Sequence, residues 1–351
     1  MVPHDWVEFG HMTIAPSARR VAPTLEGVAA AAGVSRSTVS RVVNGSTQVS
    51  PEVLTAVQEA IRQLNYSPNR AARSLANNRT LAIALVIPEE ASRFFGDPYF
   101  AAIVQGITRE LDNSDYVLTL QLAQSQPSEK TIRYLTGGNV DGALVASHHS
   151  GNAFLETLQE TMPVVYNGRP MRFDDPPAYF VDVDNAAAAA RGTQYLIDRG
   201  RQHIGIIAGP PDMPAGADRA EGSLRALSAA RRGIERVAFG DFSQASGARA
   251  MRELLDRFPD TDSVFAASDL MANGAVSVLR ERGRSVPGDV AVVGFDDSPA
   301  ALSGDIQLTT VHQPSEAMGA KMAQMMLSLL RGEPVEHQCI LPTHIVERDS
   351  A

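Results

Sequence analysis

Residues 24–45, TLEGVAAAAGVSRSTVSRVVNG, have the spacing of a helix-turn-helix, and this segment restricts the fold more than any other. Ala29 falls where two helices would cross too closely for a larger side chain, and Gly33 supplies a left-handed turn between them. The residues expected to close a small apolar core are Val28, Val39 and Val42. An αα-hairpin in another kind of helical domain is the alternative, because small residues are common at helix crossings.

The second helix of this motif is predicted to begin after Ser35, whose hydroxyl can accept from the free N–H groups of the first turn. Residues 35–43 then form a recognition helix with Arg36, Ser37 and Arg41 on its outer side.

The triplet Ser50-Pro51-Glu52 predicts a third helix, since it combines a cap, a first-turn proline and an acid that complements the helix dipole. Its apolar side chains share one face of the helix: Val53, Val57, Ile61 and Leu64. Three short helices would therefore make one compact unit.

A basic segment follows at residues 64–80, LNYSPNRAARSLANNRT. A helix that starts at Ser67 can run only to about Ala76, which is too short to be stable alone in water. Leu75 suits an apolar wedge pushed between base steps in a minor groove. The residues that indicate a polyanionic partner are Arg70, Arg73 and Arg79. A solvated linker is the alternative interpretation.

The charge distribution divides the chain at about residue 80. Residues 1–80 hold eight arginines, no lysine and five acidic residues, a net charge of +3, whereas the remainder carries −12. A basic head on an acidic body suits a protein whose head faces phosphate groups. Residues 1–23 read as a disordered arm.

The cysteine count and the lengths of the apolar segments indicate where in the cell the protein acts. The lone Cys339 excludes an intramolecular disulfide and a cysteine-rich zinc site. The N-terminal residues lack the apolar core of a secretory signal, and the apolar run LAIALVIP is far short of about 20 residues needed to span a bilayer. We therefore expect a cytoplasmic, nucleoid-associated protein without cofactor or metal.

From Leu81 onward, short apolar runs alternate with amphipathic stretches, which indicates buried parallel sheets in an α/β fold. The predicted strands are 81–88, 116–122, 140–146, 163–167, 203–209, 236–239, 262–267 and 290–295. The predicted helices include 98–112, 185–199, 243–257 and 269–283. Eight such units exceed one comfortable doubly wound sheet, so two lobes are expected, with ligand in the crevice beyond the strand carboxyl ends.

Polar and aromatic residues follow these strands and suit a sugar or another polyhydroxylated ring. They are Phe94, Phe95, Asp97, Tyr99, Phe100, Asn167, Arg169, Asp212, Arg219, Asp241, Phe242, Ser268, Asp269, Asp296 and Asp297. Three of them, Asp241, Asp269 and Asp297, are interpreted as helix N-caps instead. A plain core role is the alternative for Phe94, Phe95 and Tyr99.

The chain resembles the lactose- and galactose-repressor family of bacterial transcription factors from Thr24 onward. The matching segments include TLEGVAAAAGVSRSTVSRVVN, VSPEVLTAVQEAIRQLNYSPNRAARSLA and VAVVGFDDSPAALSGDIQLTTVHQP. The resemblance implies a helix-turn-helix domain at 24–66, a hinge helix and linker at 67–80, and a two-lobed core at 81–351 like that of periplasmic sugar-binding proteins. Crossovers between the lobes are expected near Asp184, Thr310 and Pro342.

The same resemblance implies the site residues. By motif position the effector contacts are Phe100, Arg219, Phe242, Ser268 and Asp296, to which the strand-end pattern adds Arg169. Base edges would be read by Arg36, Ser37 and Arg41, and the DNA backbone by Ser35, Asn44, Ser50, Tyr66 and Asn69, with Leu75 as the wedge. The expected function is a homodimeric regulator, a repressor, that binds palindromic operator DNA under the control of a small-molecule effector, a carbohydrate.

Two other classes of protein remain as alternatives. A solute receptor of a transport system would share the two-lobed core, but it requires export, and a DNA-binding head argues against it. A sugar-modifying enzyme is disfavoured because the sequence lacks GxxxxGK[ST], HExxH and GxSxG. His148 and His149 also lack the spacing of metal ligands on one helix face, so no catalytic residue is predicted.

Overall fold

The computed structural model describes residues 23–43, 49–66, 79–124, 126–171 and 178–351. By its internal contacts the chain divides into two units, residues 1–78 and 79–351. The predicted arm, most of the hinge segment, and the predicted contacts Asn44, Asn69 and Leu75 lie outside the described residues.

Three helices form the described part of the first unit. They are α1 (Leu25–Ala32), α2 (Arg36–Val43) and α3 (Pro51–Leu64). The turn after α1 is made by Gly33 at φ +66°, and the amide of Thr38 donates to the Ser35 hydroxyl at 3.1 Å, as the sequence predicts for both. The hydroxyl of Ser50 accepts from the Val53 amide and caps α3.

The core of this small unit is made almost entirely of aliphatic side chains. Val28, Val39 and Val57 are fully buried, and Val42 packs against them while half-buried. Leu64 departs from the predicted face because it lies at the last turn of α3 and is exposed. Its place in the core is taken by Tyr66, which is 8% exposed.

Twelve strands in the described part of the second unit form two six-stranded sheets. The first sheet contains β1 (Ala82–Ile87), β2 (Val117–Leu122), β3 (Gly142–Ala146), β4 (Val164–Asn167), β5 (Tyr179–Val183) and β11 (Gln338–Leu341). The second contains β6 (Ile204–Ala208), β7 (Val237–Phe239), β8 (Ser263–Ala266), β9 (Ala291–Asp296), β10 (Thr309–His312) and β12 (His344–Val346).

The two sheets have the same topology. The strand order is β2-β1-β3-β4-β5-β11 in one and β7-β6-β8-β9-β10-β12 in the other, and every pairing is parallel except that of β10 with β12. In each sheet the order reverses beside the first strand, between β1 and β3 and between β6 and β8, so each lobe has a switch point where ligands of such folds bind. The chain passes between the sheets after β5, after β10 and between β11 and β12.

Nine helices of the described residues cover these sheets. They are α4 (Ala91–Gly96), α5 (Pro98–Leu111), α6 (Glu129–Thr136), α7 (Phe154–Thr161), α8 (Asn185–Asp198), α9 (Pro214–Ala229), α10 (Gln244–Arg257), α11 (Asp269–Glu281) and α12 (Ser315–Arg331). A 3-10 helix spans Pro299–Leu302. Helices α5 and α12 pack closely at Gly106 and Gly319. A Cβ at either position would overlap backbone of the other helix, so both positions require glycine.

Within the described residues, no helix has the length and apolar character needed to cross a membrane.

Candidate functional site

A cavity lies between the two lobes at the carboxyl ends of both sheets. Its walls come from both switch points, since residues after β1 and β3 face residues after β6 and β8. The lining residues are Arg93, Asp97, Tyr99, Phe100, Ser147, His148, Asn167, Gly168, Asp182, Asn185, Met213, Pro214, Ala215, Arg219, Phe242, Ser268, Asp296, Gln313 and Met318.

Arg219 on α9 is the most extensively bonded side chain of the cavity. It is 5% exposed, and its guanidinium donates to the side chains of Asn185 and Gln313 at 2.8 and 2.7 Å. It also donates to the Ala267 carbonyl and, at 3.4 Å, to the carboxylate of Asp296. A buried guanidinium requires such partners, and together they fix its plane against the cavity wall.

The opposing carboxyl groups are held in an unusual electrostatic environment. Burial raises the pKa of Asp296 well above its ordinary value, although the Arg219 guanidinium opposes the shift. Burial likewise raises the pKa of Asp97 and of Asp182. Carboxyl groups buried in this way gain from hydroxyl donors that replace lost water.

An aromatic surface completes the cavity. Phe242 has a φ of +67°, and its ring centroid is 5.5 Å from Cζ of Arg93 and 5.7 Å from Cζ of Arg219. Phe100 packs in the core beneath, and the hydroxyl of Tyr99 donates to Asn167.

Three residues of the cavity wall have a strained backbone. Ser147, Phe242 and Asp296 all have φ in the left-handed region, at +61°, +67° and +110°. Non-glycine residues adopt such angles at a cost of about 1–3 kcal/mol each, and they cluster at ligand sites because the surrounding packing holds them there.

The N-cap assignments at the strand ends differ from the prediction. Serines at positions 243, 268 and 298 cap α10, α11 and the 3-10 helix, whereas the neighbouring aspartates were expected to do so. Asp241 instead accepts from the Ser243 amide, Asp269 is buried and accepts from Thr310, and Asp297 pairs with Arg348. Ser268 therefore combines a cap with a place in the cavity wall.

The cavity brings together five of the six predicted effector contacts, namely Phe100, Arg219, Phe242, Ser268 and Asp296. Arg169 stands apart from them. Its guanidinium is half-exposed and donates to both carboxylate oxygens of Asp218 at 2.9 and 3.1 Å, and its side chain does not line the cavity.

Several lining residues escaped sequence analysis. Asp182 and Gln313 belong to or follow β5 and β10, two strands that the apolar runs did not indicate. His148 was considered only as a metal ligand, yet it is buried in the wall, and burial lowers its pKa to about 4. Among the described residues no group of histidine, cysteine and acidic side chains is arranged to hold a metal ion.

On the first unit, the outer side of α2 carries the predicted base-reading residues. Arg36 pairs with Glu26 at 3.1 Å while both side chains remain largely exposed, and Arg41 is exposed near the end of the helix. Ser37 hydrogen-bonds the Ser35 hydroxyl at 2.8 Å. Exposed arginines along one helix give the unit a surface suited to phosphates and base edges.

Two family models match the chain. The model for bacterial regulatory proteins of the lacI family matches residues 24–69, and that for a periplasmic binding protein-like domain matches residues 193–351. The boundaries agree with the helical first unit and with much of the two-lobed body.

Known proteins of the same architecture align over nearly the whole chain. The HTH-type transcriptional regulator CelR of Thermobifida fusca is 46% identical over 95% of this chain and 99% of its own length. The HTH-type transcriptional repressor PurR of Klebsiella pneumoniae is 34% identical over 93% of this chain and 96% of its own.

Solved structures give the same result. A complex of the regulator CelR with cellobiose superposes with a TM-score of 0.74 at 44% identity, over 94% of this chain and 100% of that one. A lac repressor dimer bound to operator and an anti-inducer superposes with a TM-score of 0.82 at 26% identity, over 94% and 99% of the two chains. This chain belongs to the lacI family of bacterial regulatory proteins and is a helix-turn-helix transcriptional regulator.

Proposed function

We propose that this chain is a repressor whose affinity for operator DNA is controlled by an uncharged sugar of the cellobiose type bound between its lobes. The observation that carries the proposal is the buried pair of Arg219 and Asp296 beside the Phe242 ring at the switch points of both sheets. A solved CelR structure contains cellobiose, and that regulator shares 44% of its sequence with this chain.

The arrangement of the cavity supports a hydroxyl-rich ligand. Each arginine of the wall already has a carboxylate partner, since Arg219 pairs with Asp296 and Arg93 lies 3.3 Å from Asp97. An anionic ligand would find no unpaired guanidinium there, whereas hydroxyl groups can donate to carboxylates and accept from the remaining N–H groups. The Phe242 ring offers an apolar face for the C–H side of a sugar ring.

On the DNA side we propose a homodimer on a palindromic operator. Arg36, Ser37 and Arg41 would face base edges in the major groove. The proposed backbone contacts are Ser35, Asn44, Ser50, Tyr66 and Asn69, with Leu75 as the minor-groove wedge. Effector would act by preferring one arrangement of the body, and a differential affinity of about 1–3 kcal/mol suffices for ordinary coupling. The proposal involves neither catalysis nor export. It places the protein in the cytoplasm with its operator DNA.

The test is an Asp296→Ala substitution in the full chain. Removing this carboxylate takes away a hydroxyl acceptor and the partner of Arg219, so cellobiose should no longer change operator affinity, while affinity without sugar stays within about twofold. Fluorescence anisotropy with a labelled palindromic duplex measures both quantities, and thermal unfolding verifies that the variant is folded.

The matched control is Asp256→Ala, because Asp256 is an exposed aspartate paired with Arg282 on the body surface. This variant should respond to cellobiose like the unmodified chain. A response that survives in Asp296→Ala would place the effector elsewhere, and a wild-type chain indifferent to cellobiose would reject that sugar as effector.

A further inference from the structure

Two polar bridges join the first lobe to the second across the cleft. One joins His149, in the loop after β3, to Asp212, in the loop before α9. The other joins Arg169, after β4, to Asp218 in the first turns of α9. Each bridge has its basic side chain on the first lobe and its carboxylate on the second. We call these four residues the rim clasp.

The His149 bridge is held rigidly on the first lobe. Its Nδ1 lies 2.8 Å from a carboxylate oxygen of Asp212, and its Nε2 lies 3.2 Å from Glu89. The backbone amide of His149 donates to Asn152 at 2.6 Å, which fixes the loop. The amide of Ser150 also donates to the carbonyl oxygen of Asp212 at 2.9 Å, so backbone as well as side chains cross the cleft.

The Arg169 bridge is anchored in the same manner. The backbone amide of Arg169 donates to the buried carboxylate of Asp182 at 2.7 Å, which ties the loop to the cavity wall. The guanidinium reaches both oxygens of Asp218, whose side chain is only 22% exposed. Partial burial reduces the solvent screening that weakens ion pairs on open surfaces.

None of the four clasp residues lines the cavity, but each adjoins residues that do. His148 and Gly168 on the first lobe and Met213 on the second lie next to clasp residues in sequence and form part of the wall. While the bridges hold, the loops after β3 and β4 stay joined to α9 and the loop before it beside the cavity wall. Opening must break both bridges and the Ser150 hydrogen bond together.

We propose that the rim clasp is the closing device of the cleft: His149 and Arg169 hold the lobes together over the effector and set its rate of release. The inference rests on the proposed function for the identity of the effector, whereas closure itself is a property of the chain alone. The clasp residues act as positioning residues and do not contact the ligand.

The clasp also makes closure sensitive to pH. The groups around His149 are Glu89 and Asp212, with His148 adjacent and Arg93 facing Glu89. The hydrogen bond to Glu89 raises the pKa of His149, and Asp212 adds to the increase despite burial. Opening removes the Asp212 contribution, so the closed cleft holds the proton more tightly than the open one. Closure is therefore favoured at low pH and weakens as pH rises through the raised pKa.

Amide hydrogen exchange at Ser150 tests the clasp without any ligand, because this amide is released only when the cleft opens. In the full chain, Asp212→Asn and Asp218→Asn should each speed exchange of the peptide around Ser150 by about two- to fivefold, and the double variant by roughly the product. That peptide has the same sequence in all three variants, so intrinsic exchange rates cancel.

The control is Glu281→Gln, which removes a 2.8 Å surface ion pair with Arg252 that joins two helices of one lobe and does not cross the cleft. Exchange at Ser150 should not change. An unchanged rate in the double variant, or equal acceleration in the control, would overturn the proposal.

Two further measurements separate the clasp from the identity of the sugar. After correction for intrinsic rates, exchange at Ser150 should rise between pH 5.5 and about 8 in the unmodified chain and lose this dependence in His149→Gln. Cellobiose should slow exchange in the unmodified chain and dissociate faster from the double variant. Acceleration in the double variant with no effect of cellobiose on the unmodified chain would uphold the clasp and reject cellobiose as effector. A pH dependence that persists in His149→Gln would remove His149 from the device.

Discussion

Ser268 and Asp269 are adjacent after β8 and have different structural roles. Ser268 caps α11, and the Asp269 carboxylate turns inward, where it accepts from the Thr310 hydroxyl at 2.6 Å and from the Ser298 amide at 2.8 Å. It is fully buried, and burial raises its pKa to about 7. A sequence shows that a cap is present at such a junction, but the choice between neighbours depends on packing that only the fold defines.

Asp269→Asn should remove a pH dependence of stability. Because the folded-state pKa is raised, the acid contributes its full stability below about pH 4 and loses it as pH rises towards 7. We therefore expect the thermal midpoint of the variant, relative to the unmodified chain, to increase between pH 5 and pH 8, as scanning calorimetry would show. Replacing the exposed Asp305, which pairs with Arg280 on the surface, should leave this difference flat. A midpoint difference that stays flat would show that burial does not raise the pKa of Asp269, and one that falls with pH would show that the fold favours the charged carboxylate.

Strands differ in how clearly the sequence predicts them. The eight apolar runs all became strands, because burial on both faces of a parallel sheet leaves a continuous hydrophobic signal. The strands β5 and β10 gave no such signal, since YFVDV carries a buried aspartate and TTVH is half polar. Both lead to cavity residues, so the missed strands explain why Asp182 and Gln313 were missed. Arg169 was included because it follows a strand, which says nothing about the direction of a long side chain.

Gly106→Ala should weaken the packing of α5 against α12 and lower the stability of the chain. The added methyl group would overlap the carbonyl oxygen of Glu316, which belongs to backbone and cannot rotate away. Overpacking of this kind costs about 1–3 kcal/mol, so chemical denaturation of the full chain should show a lower free energy of unfolding. The control is Gly96→Ala, where the new methyl group meets no atom within 4 Å and stability should change little. Equal effects at the two positions would mean that helix propensity, and not the close approach, governs both.

The first 80 residues and the rest of the chain carry opposite net charge. The first 80 residues hold +3 and the remainder −12, so attraction to phosphate is confined to the head while the body repels polyanions. Both arginines of the cavity pair with carboxyl groups there, so binding at the proposed effector site should depend little on salt.

Salt should therefore separate the two binding functions. Raising the salt concentration from 50 to 200 mM should weaken operator binding by more than about 100-fold, because each phosphate contact releases counterions. Affinity for cellobiose, measured by calorimetry on the same preparation, should change by less than about twofold. Equal losses in the two affinities would contradict the interpretation that the arginines of the cavity are neutralised by their carboxyl partners.

The close succession of β11 and β12 limits how the lobes can move. Leu341 ends a strand of one sheet and His344 begins a strand of the other, so Pro342 and Thr343 are the whole connection. The three residue steps from Leu341 to His344 span at most about 10 Å when fully extended, and proline fixes one of the available torsions. This link acts as a short tether that cannot lengthen. A large translation of one lobe away from the other is thereby excluded, so we expect the cleft to open by rotation about the connecting segments.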